Sequence, residues 1–376
     1  MASLFMAFAG GAVCAVFAWN EPGVLWRAYT LAWLTSWPIA MGGLGLVALG
    51  NLTGGRWAAA ARPFYLSAAR TVPILAILFI PIAFGLGHIY PWAHTGSQSA
   101  PHFSTSKAVY LSPPFFLARS ALYFFIWLVL AVWLARVSRL DRPPATRPAM
   151  RQAGAASLVI LVPTTTFAAY DWGMSLEPHW YSSIYGATIT AGGVVAVHAL
   201  AVISLALASP ELRSALFIAK PHGSEPEAHQ FAELLNDLGN LLLAFIMVWT
   251  YFSFSQFLII WSANLPSEII WYDRRLSNGW QIAALAIVAI CFAAPFLMLL
   301  SRDLKRTPGQ LAAIASLVAA GYGLNMYWTI VPAYPRGHLA SHLANVGAMM
   351  GLVGVWLAFY WWRLARLAGR PPSSHT

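Results

Sequence analysis

Apolar positions in this chain fall in long blocks separated by short polar or basic stretches. The blocks lie at 2–19, 29–50, 71–89, 114–135, 154–170, 185–208, 234–262, 279–300, 309–331 and 341–362. Each approaches the ~20 residues that carry a helix across a hydrocarbon core of about 30 Å. The pattern therefore predicts an all-α polytopic membrane protein with ten transmembrane helices, forming a single integral membrane domain over 1–376. The first block has no basic leader and no A-x-A site at the right distance, so it reads as a helix rather than a cleaved signal peptide.

A repeat is visible across the blocks. The second carries PIAMGGLGLVAL and the sixth TITAGGVVAVHAL, with paired glycines Gly42–Gly43 and Gly192–Gly193 in similar apolar frames about 150 residues apart. The fifth block ends in FAAYDW and the ninth in LNMYWT. Four helices per unit make the repeats parallel. The expected architecture is two four-helix bundles, helices two to five (29–170) and six to nine (185–331), flanked by helices one (1–28) and ten (341–376). Paired glycines also recur in close-packed membrane helices without any repeat, because small residues let backbones approach.

Composition agrees: 59% of residues are hydrophobic, 9% are charged and mean hydropathy is +0.64, too little polar surface for a soluble globule of this size. The formal charge of +10 would suggest a nucleic-acid partner in a soluble protein, but the basic residues sit between apolar blocks, and no nucleic acid is expected. Sixteen fall on one side: Arg56, Arg62, Arg70, Arg136, Arg139, Arg142, Arg147, Arg151, Arg213, Lys220, Arg302, Lys305, Arg306, Arg363, Arg366 and Arg370. Five fall on the other: Arg27, Lys107, Arg274, Arg275 and Arg336. The positive-inside rule makes the first side cytoplasmic, with both termini there. The implied location is a bacterial inner membrane, with the 170–185 segment facing the periplasm. Cys14 and Cys291 both lie inside apolar blocks and read as buried small hydrophobes; no spacing suggests a zinc or iron–sulfur site.

The longer connections are 88–113, which holds His88, His94 and His102, and 263–278 on the outer side, with 137–153 and 209–233 on the inner. None is long enough for a soluble domain, so a large catalytic module would come from another chain.

Candidate chemistry concentrates in YDWGMSLEPHWYSSIY, residues 170–185. Asp171, Glu177 and His179 lie within nine residues of one another, in a chain with only twelve carboxylates. Their charges are cheap at a wet boundary and can exchange protons if neighbours bring their pKa values together. Trp172, Trp180 and Tyr181 are residue types that dominate contacts when buried at an interface, which marks them for docking a partner. A simpler account pairs Glu177 with His179, Arg274 or Arg275 and merely fixes the hairpin. Within the membrane, His198 lies mid-helix, where an ionisable group is a functional candidate; the bland reading is a neutral imidazole bonded to Thr164, Thr165 or Thr166. Glu233 and Asp237 lie at the inner start of the seventh helix, placed there either by the helix dipole or as the mouth of a proton path through His198. Arg119 reads as a snorkelling side chain. Gln256 and Asn325 read as interhelical hydrogen-bonding groups or as contacts for water or a quinone head group.

The stretches DWGMSLEPHWYSSIYG and DLGNLLLAFIMVWTYFSFSQFLIIWSANLPSEIIWY resemble the ActF-type, NrfD/polysulfide-reductase-like membrane subunits of bacterial alternative complex III. The similarity runs from WRAYTLAW near residue 26 to about residue 362. It implies a ten-helix subunit of a quinol:cytochrome c, or other periplasmic acceptor, oxidoreductase. It also implies a sister NrfD-like subunit carrying the better supported quinol site, and periplasmic partners holding iron–sulfur clusters and multihaem c. This chain would bind no cofactor of its own, with quinone as the candidate ligand. Between Glu21 and Asp141 there is no carboxylate to accept protons beside a quinol head group, which favours a structural and proton-conducting role. Two other classes compete. A di-haem cytochrome b needs histidine pairs at matched depth, and His88, His198 and His342 supply none. A secondary transporter built from the four-helix repeat fits the repeat but not its parallel sense.

The basic asymmetry makes a direct prediction. A reporter active only in the periplasm, fused after Thr376, stays silent; a strong signal would reverse the orientation.

Overall fold

The computed structural model describes residues 2–20, 22–93, 103–138, 147–209, 227–334 and 339–368. Among them the chain is helical throughout and contains no strand. Helices α1 (Ala2–Asn20), α2 (Pro22–Thr53), α3 (Arg56–Ala69), α4 (Val72–Phe84), α5 (Leu86–Ile89), α6 (Thr105–Tyr110), α7 (Pro113–Val137) and α8 (Arg147–Trp172) precede the hairpin. After it come α9 (Tyr185–Ala206), α10 (Glu227–Ala263), α11 (Pro266–Arg275), α12 (Trp280–Ile287), α13 (Ala294–Leu300), α14 (Arg302–Arg306), α15 (Pro308–Ile330) and α16 (Leu339–Ala368). Nine spans among the described residues are long and apolar enough to cross a membrane, and Ser3–Val13 in α1 is a shorter apolar helix. The protein is thus a multi-pass α-helical membrane protein. One end of the bundle carries the 170–185 hairpin and is called the hairpin face; the opposite end carries Arg56, Arg302, Lys305 and Arg306 and is called the basic face.

Three elements depart from the apolar blocks. The third span runs over Arg56–Phe84 rather than 71–89, so Arg62 and Arg70 lie within it and are not loop residues. Small side chains hide this stretch from a hydropathy reading. Ala58, Ala60, Ala61, Ala68 and Ala69 of α3 are buried, and α3 packs on α2 and α9. The span is broken at Arg70–Thr71, where Thr71 Oγ1 donates to the Ala68 carbonyl (2.7 Å) and accepts from Trp356 Nε1 (2.8 Å). Gly43, in the second half of α2, lies against Tyr65, Ala68 and Ala69, which puts the break deep in the span. Secondly, α10 begins at Glu227, seven residues before the apolar block. Glu233 and Asp237 therefore lie two to three turns inside the helix, beyond the reach of its dipole. Thirdly, the span Trp280–Leu300 contains a π turn at Val288–Ala293. Pro295 explains it: the residue brings no N–H and crowds the carbonyl of the preceding turn, so the ladder widens just before it.

The α2 helix is the hub. It packs on α3, α8, α9 and α16, and its membrane window is 94% buried. Glycines permit the contact with α9: a Cβ on Gly193 would fall 2.1 Å from the Pro38 carbonyl oxygen, and one on Gly42 would fall 2.6 Å from that of Gly193. One glycine of each pair, Gly42 and Gly193, lies at this contact, whereas Gly43 faces α3 and Gly192 faces Tyr322 and Trp249. Similar approaches join α8 to α2 at Gly154 (2.5 Å from the Ala48 oxygen) and α1 to α16 at Gly10 (2.2 Å from the Gly351 nitrogen). The reversal from α2 to α3 uses Gly54 (φ +72°) and Gly55 (φ +99°), a backbone region that other residues rarely enter. Large apolar side chains face outward on the rim, among them Phe125 and Val159, Tyr251 and Leu258 of α10, and Ile282 and Leu285 of α12.

Gly193→Ala is expected to lower the thermal midpoint of the purified protein markedly, because the clash is with backbone and overpacking costs about 1–3 kcal/mol or more. Gly11→Ala, with open space around its Cα, is expected to leave the midpoint unchanged or raise it slightly. Equal midpoints in the two variants would show that the α2–α9 approach is not tight.

Candidate functional site

At the hairpin face, the last turn of α8 delivers Asp171 into the protein. Its carboxylate is fully buried and accepts two bonds from Arg119, from Nε and Nη2 (both 2.8 Å), and one from the Tyr123 hydroxyl (2.8 Å). Arg119 does not snorkel. It turns inward, donates also to the Tyr110 carbonyl (2.9 Å) and lies 3.8 Å from the Tyr110 ring centre. A planar guanidinium facing a carboxylate in this way is the strong, oriented form of an ion pair.

Glu177, 8% exposed, is held by a second arginine site. Arg275 Nη2 lies 2.6 Å and Arg274 Nη1 2.9 Å from its two oxygens. Arg275 is itself buried, stacks on Trp271 at 3.8 Å, and donates to the carbonyls of Thr329 (2.7 Å) and Trp271 (3.0 Å). Burial pulls the Arg275 guanidinium below its ordinary pKa, and the Glu177 charge opposes that pull. His179 is exposed beside Phe103, so of the pairings open to Glu177 the structure forms the arginine ones. Lys107 donates to the Pro178 carbonyl, tying a second segment across the hairpin.

The aromatic residues expected to dock a partner are mostly consumed within the chain. Trp172 is fully buried among Trp33, Trp37, Phe79, Phe124 and Trp127, and its Nε1 donates to Ser120 Oγ (3.0 Å). Trp180, 3% exposed, stacks on Trp271 at 5.0 Å and donates to the Glu268 carbonyl (3.0 Å). Neither ring is presented outward, because burying so much apolar area inside is worth more than leaving it wet. Tyr181, 61% exposed, is the one of the three that offers its ring to a partner.

Deep in the bundle, His198 of α9 is fully buried between Tyr65 of α3, whose hydroxyl lies 2.5 Å from Nδ1, and the Leu238 carbonyl of α10, 3.0 Å from Nε2. A carbonyl only accepts, so Nε2 carries the proton and Nδ1 accepts from the tyrosine. The imidazole is thus satisfied in its neutral form. Its partners are not the threonines suggested by sequence. Thr164, Thr165 and Thr166 bond carbonyls of their own helix instead.

At the basic face, Glu233 contacts Arg306 and lies 3.9 Å from Arg302; Asp237 pairs with Arg56 at 2.9 Å. Sequence reasoning overlooked Lys305. Its stem passes over Gly239 and its Nζ reaches Asn240 Oδ1 (2.6 Å); burial, with Arg302 nearby, lowers its pKa. The signal was the glycine at 239 beside Asn240, a gap and an acceptor one residue apart. Four consecutive α10 residues therefore serve three groups: Asp237 holds Arg56, Leu238 holds His198, Gly239 admits Lys305 and Asn240 bonds it.

The structure brings Glu233, Asp237 and His198 onto or against one stretch of α10, but keeps Asp171, Glu177 and His179 at the other face. Against the hairpin face, beside the Asp171 turn, lies a small apolar cavity lined by Leu34, Trp37, Ala169, Gly173, Tyr185 and Ile330, among others. His94, His102, Arg139, Arg142, Arg213, Lys220, Arg336 and Arg370 lie outside the described residues, as does the side chain of Cys14. No protein-family model and no curated protein matches the chain.

Asp171→Ala is expected to destabilise the protein by about 3–5 kcal/mol, since it strands a largely buried arginine. Asp237→Ala breaks a pair whose side chains are 67% and 36% exposed and is expected to cost no more than about 1 kcal/mol. Thermal unfolding in detergent compares them; equal losses would overturn the distinction.

Proposed function

We propose that this chain is a membrane subunit of a quinol:cytochrome c, or other periplasmic acceptor, oxidoreductase complex. In this reading it is structural and proton-conducting and has no redox centre of its own. Ten helices form two four-helix bundles flanked by the first and last; the hairpin face is periplasmic and both termini are cytoplasmic. Its partners are a sister NrfD-like membrane subunit and periplasmic iron–sulfur and multihaem c subunits, in a bacterial inner membrane. The resemblance of 171–186 and 237–272 to ActF-type subunits motivates the assignment. The observation that supports a proton role is the junction on α10, where the Leu238 carbonyl that holds the buried neutral imidazole of His198 is one residue from Asp237, whose carboxylate pairs with Arg56 at the basic face. An imidazole that accepts at one nitrogen and donates at the other can pass a proton by exchanging the two roles.

A second reading, a secondary transporter, gains from the break at Arg70–Thr71, because transporters bind substrate where helices are interrupted near the midplane. The two separate on purification. A tagged chain drawn from native membranes is expected to bring haem c and iron–sulfur proteins with it, and purification alone would sink the complex-subunit reading. In the isolated complex, His198→Phe is expected to slow quinol-driven proton movement by about tenfold or more while haem content is retained. Unchanged proton movement would leave His198 a structural group. Tyr181→Ala is expected to loosen retention of the periplasmic partners.

A further inference from the structure

Along α10, the residues Leu242, Ile246, Trp249, Ser253, Gln256 and Ile260 recur at spacings of three and four and form one face. Leu242, Ile246, Trp249, Gln256 and Ile260 are all buried. The basic-side half of this face is apolar, whereas the half toward the hairpin is polar. In that half, the Trp249 Nε1, Thr250 Oγ1 and Ser253 Oγ atoms are buried and have no hydrogen-bond partner.

Ser157 and Thr190 are unpaired too, but singly, whereas the three on α10 are clustered. Many hydroxyls elsewhere in its helices, including Thr30, Thr35, Ser36, Ser67, Thr165 and Ser316, bond back to the carbonyl four residues earlier. Thr250 and Ser253 do not, although that bond is always within reach of a helical Ser or Thr. Trp249, 8% exposed, has no such option. A buried donor left unmade costs about 1–3 kcal/mol, and three on adjacent turns call for an occupant that accepts hydrogen bonds.

Beside the indole the backbone leaves a gap of about one methyl group. Gly192 of α9 presents no side chain to the indole nitrogen: a Cβ there would be 3.5 Å from Trp249 Nε1 and 3.3 Å from the Tyr322 ring. The π turn packs on both α10 and α15, and Gly321, next to Tyr322, faces Cys291 of that turn. Pro295 brings no N–H to the turn, so the carbonyl five residues back, that of Ile290, loses its ladder donor. Toward the hairpin, Ser182 Oγ donates to Gln256 Oε1 at 3.5 Å, a long and weak bond that an entering water can replace.

We infer that the Trp249–Gln256 face of α10 lines a recess filled by ordered water, entered from the hairpin face between Gln256 and Ser182 and floored by Trp249 and Tyr322. Water accepts from the indole and hydroxyl donors and can in turn donate to a freed backbone carbonyl, which no apolar occupant could do. Ser253 lies ten residues from the end of α10, so the water reaches about 15 Å below that end. The inference concerns hydration and holds whether or not protons cross the protein.

Cysteine accessibility tests it. In a chain carrying Cys14→Ala and Cys291→Ala, single Ser253→Cys and Thr250→Cys variants are exposed to a charged, membrane-impermeant methanethiosulfonate from the hairpin face. Both are expected to label at least about tenfold faster than Phe254→Cys, on the outward side of the helix (58% exposed), and Ile246→Cys, on the apolar half of the same face, because only a hydrated thiol ionises. Rates at 250 and 253 no faster than at Phe254→Cys would overturn the recess, and so would labelling of Ile246→Cys at the same rate as Ser253→Cys. Proton movement in the same variants is a separate readout, so a hydrated recess with no effect on transport would weigh against the proton-conducting role and leave the inference standing.

Discussion

The close approach of α2 and α9 is the constraint on which the remaining geometry depends. With Pro38, Gly42 and Gly193 in backbone contact, the two helices act as one thick spine, and neither helix can move without the other. Lipid offers no hydrophobic drive for one apolar helix to leave it for another, so close van der Waals packing over small residues has to supply the association. Several of the polar and aromatic groups of the interior attach to this spine. The His198 imidazole is one turn beyond Gly193 on α9; Tyr322 reaches across to the Thr35 carbonyl of α2 (2.9 Å); and Trp33 and Trp37 of α2 anchor the aromatic cluster that encloses Trp172.

The charged groups show how the hairpin face is held. Removing Asp171 and Glu177 from water carries a large desolvation penalty, which the arginines offset only through oriented, multiply bonded geometry. Both pairs have that geometry, and both arginines also satisfy backbone carbonyls at the ends of neighbouring elements. Such pairs add little net stability relative to apolar residues, but they tolerate few alternative arrangements. They join α8 to α7, and the hairpin to α11 and the end of α15, in one register. The docking proposed for this face would gain from that rigidity, since any freedom of the hairpin would have to be lost on binding.

Much of this was legible in the sequence, and the parts that were not share a cause. Long apolar blocks gave the helical membrane class, and one glycine of each pair read as a repeat, Gly42 and Gly193, lies in the close packing that small residues allow. The Arg274/Arg275 alternative for Glu177 was written in the charge pattern. What stayed hidden was anything decided by azimuth rather than by composition. Trp172 and Trp180 have the composition of a docking patch, but the last turn of α8 and the chain reversal after it point them into the core. Arg119 has the position of a snorkelling residue, but it sits on the face of α7 that meets Asp171. The third span escaped because alanines, not leucines, make its contacts, and alanine-rich helices with arginines score poorly as membrane segments. Lys305 escaped because its partner comes from a helix more than sixty residues away in sequence.

The interior contains two kinds of polar site, and the contrast between them separates structure from capacity to react. Around the break at Arg70–Thr71, the chain meets its own demands: Thr71 serves both a carbonyl and an indole, and Tyr65 on the preceding helix is committed to His198. That site is locked, and moving any member would leave a buried group unmade in a medium where nothing else can satisfy it. On α10 the same residue types face the bundle without partners, beside a π turn short of one donor. A locked network fixes geometry, whereas donors left unpaired at membrane depth can bind small polar molecules and release them with little rearrangement of the protein. His198 lies at the inner end of the first kind of site and α10 links it to the second, since the carbonyl of Leu238 holds the imidazole three turns from Trp249. Any proton relayed through this half of the protein would therefore have to pass from exchangeable water to a fixed imidazole along a single helix, with the apolar turn at Leu242 and Ile246 as the barrier between them.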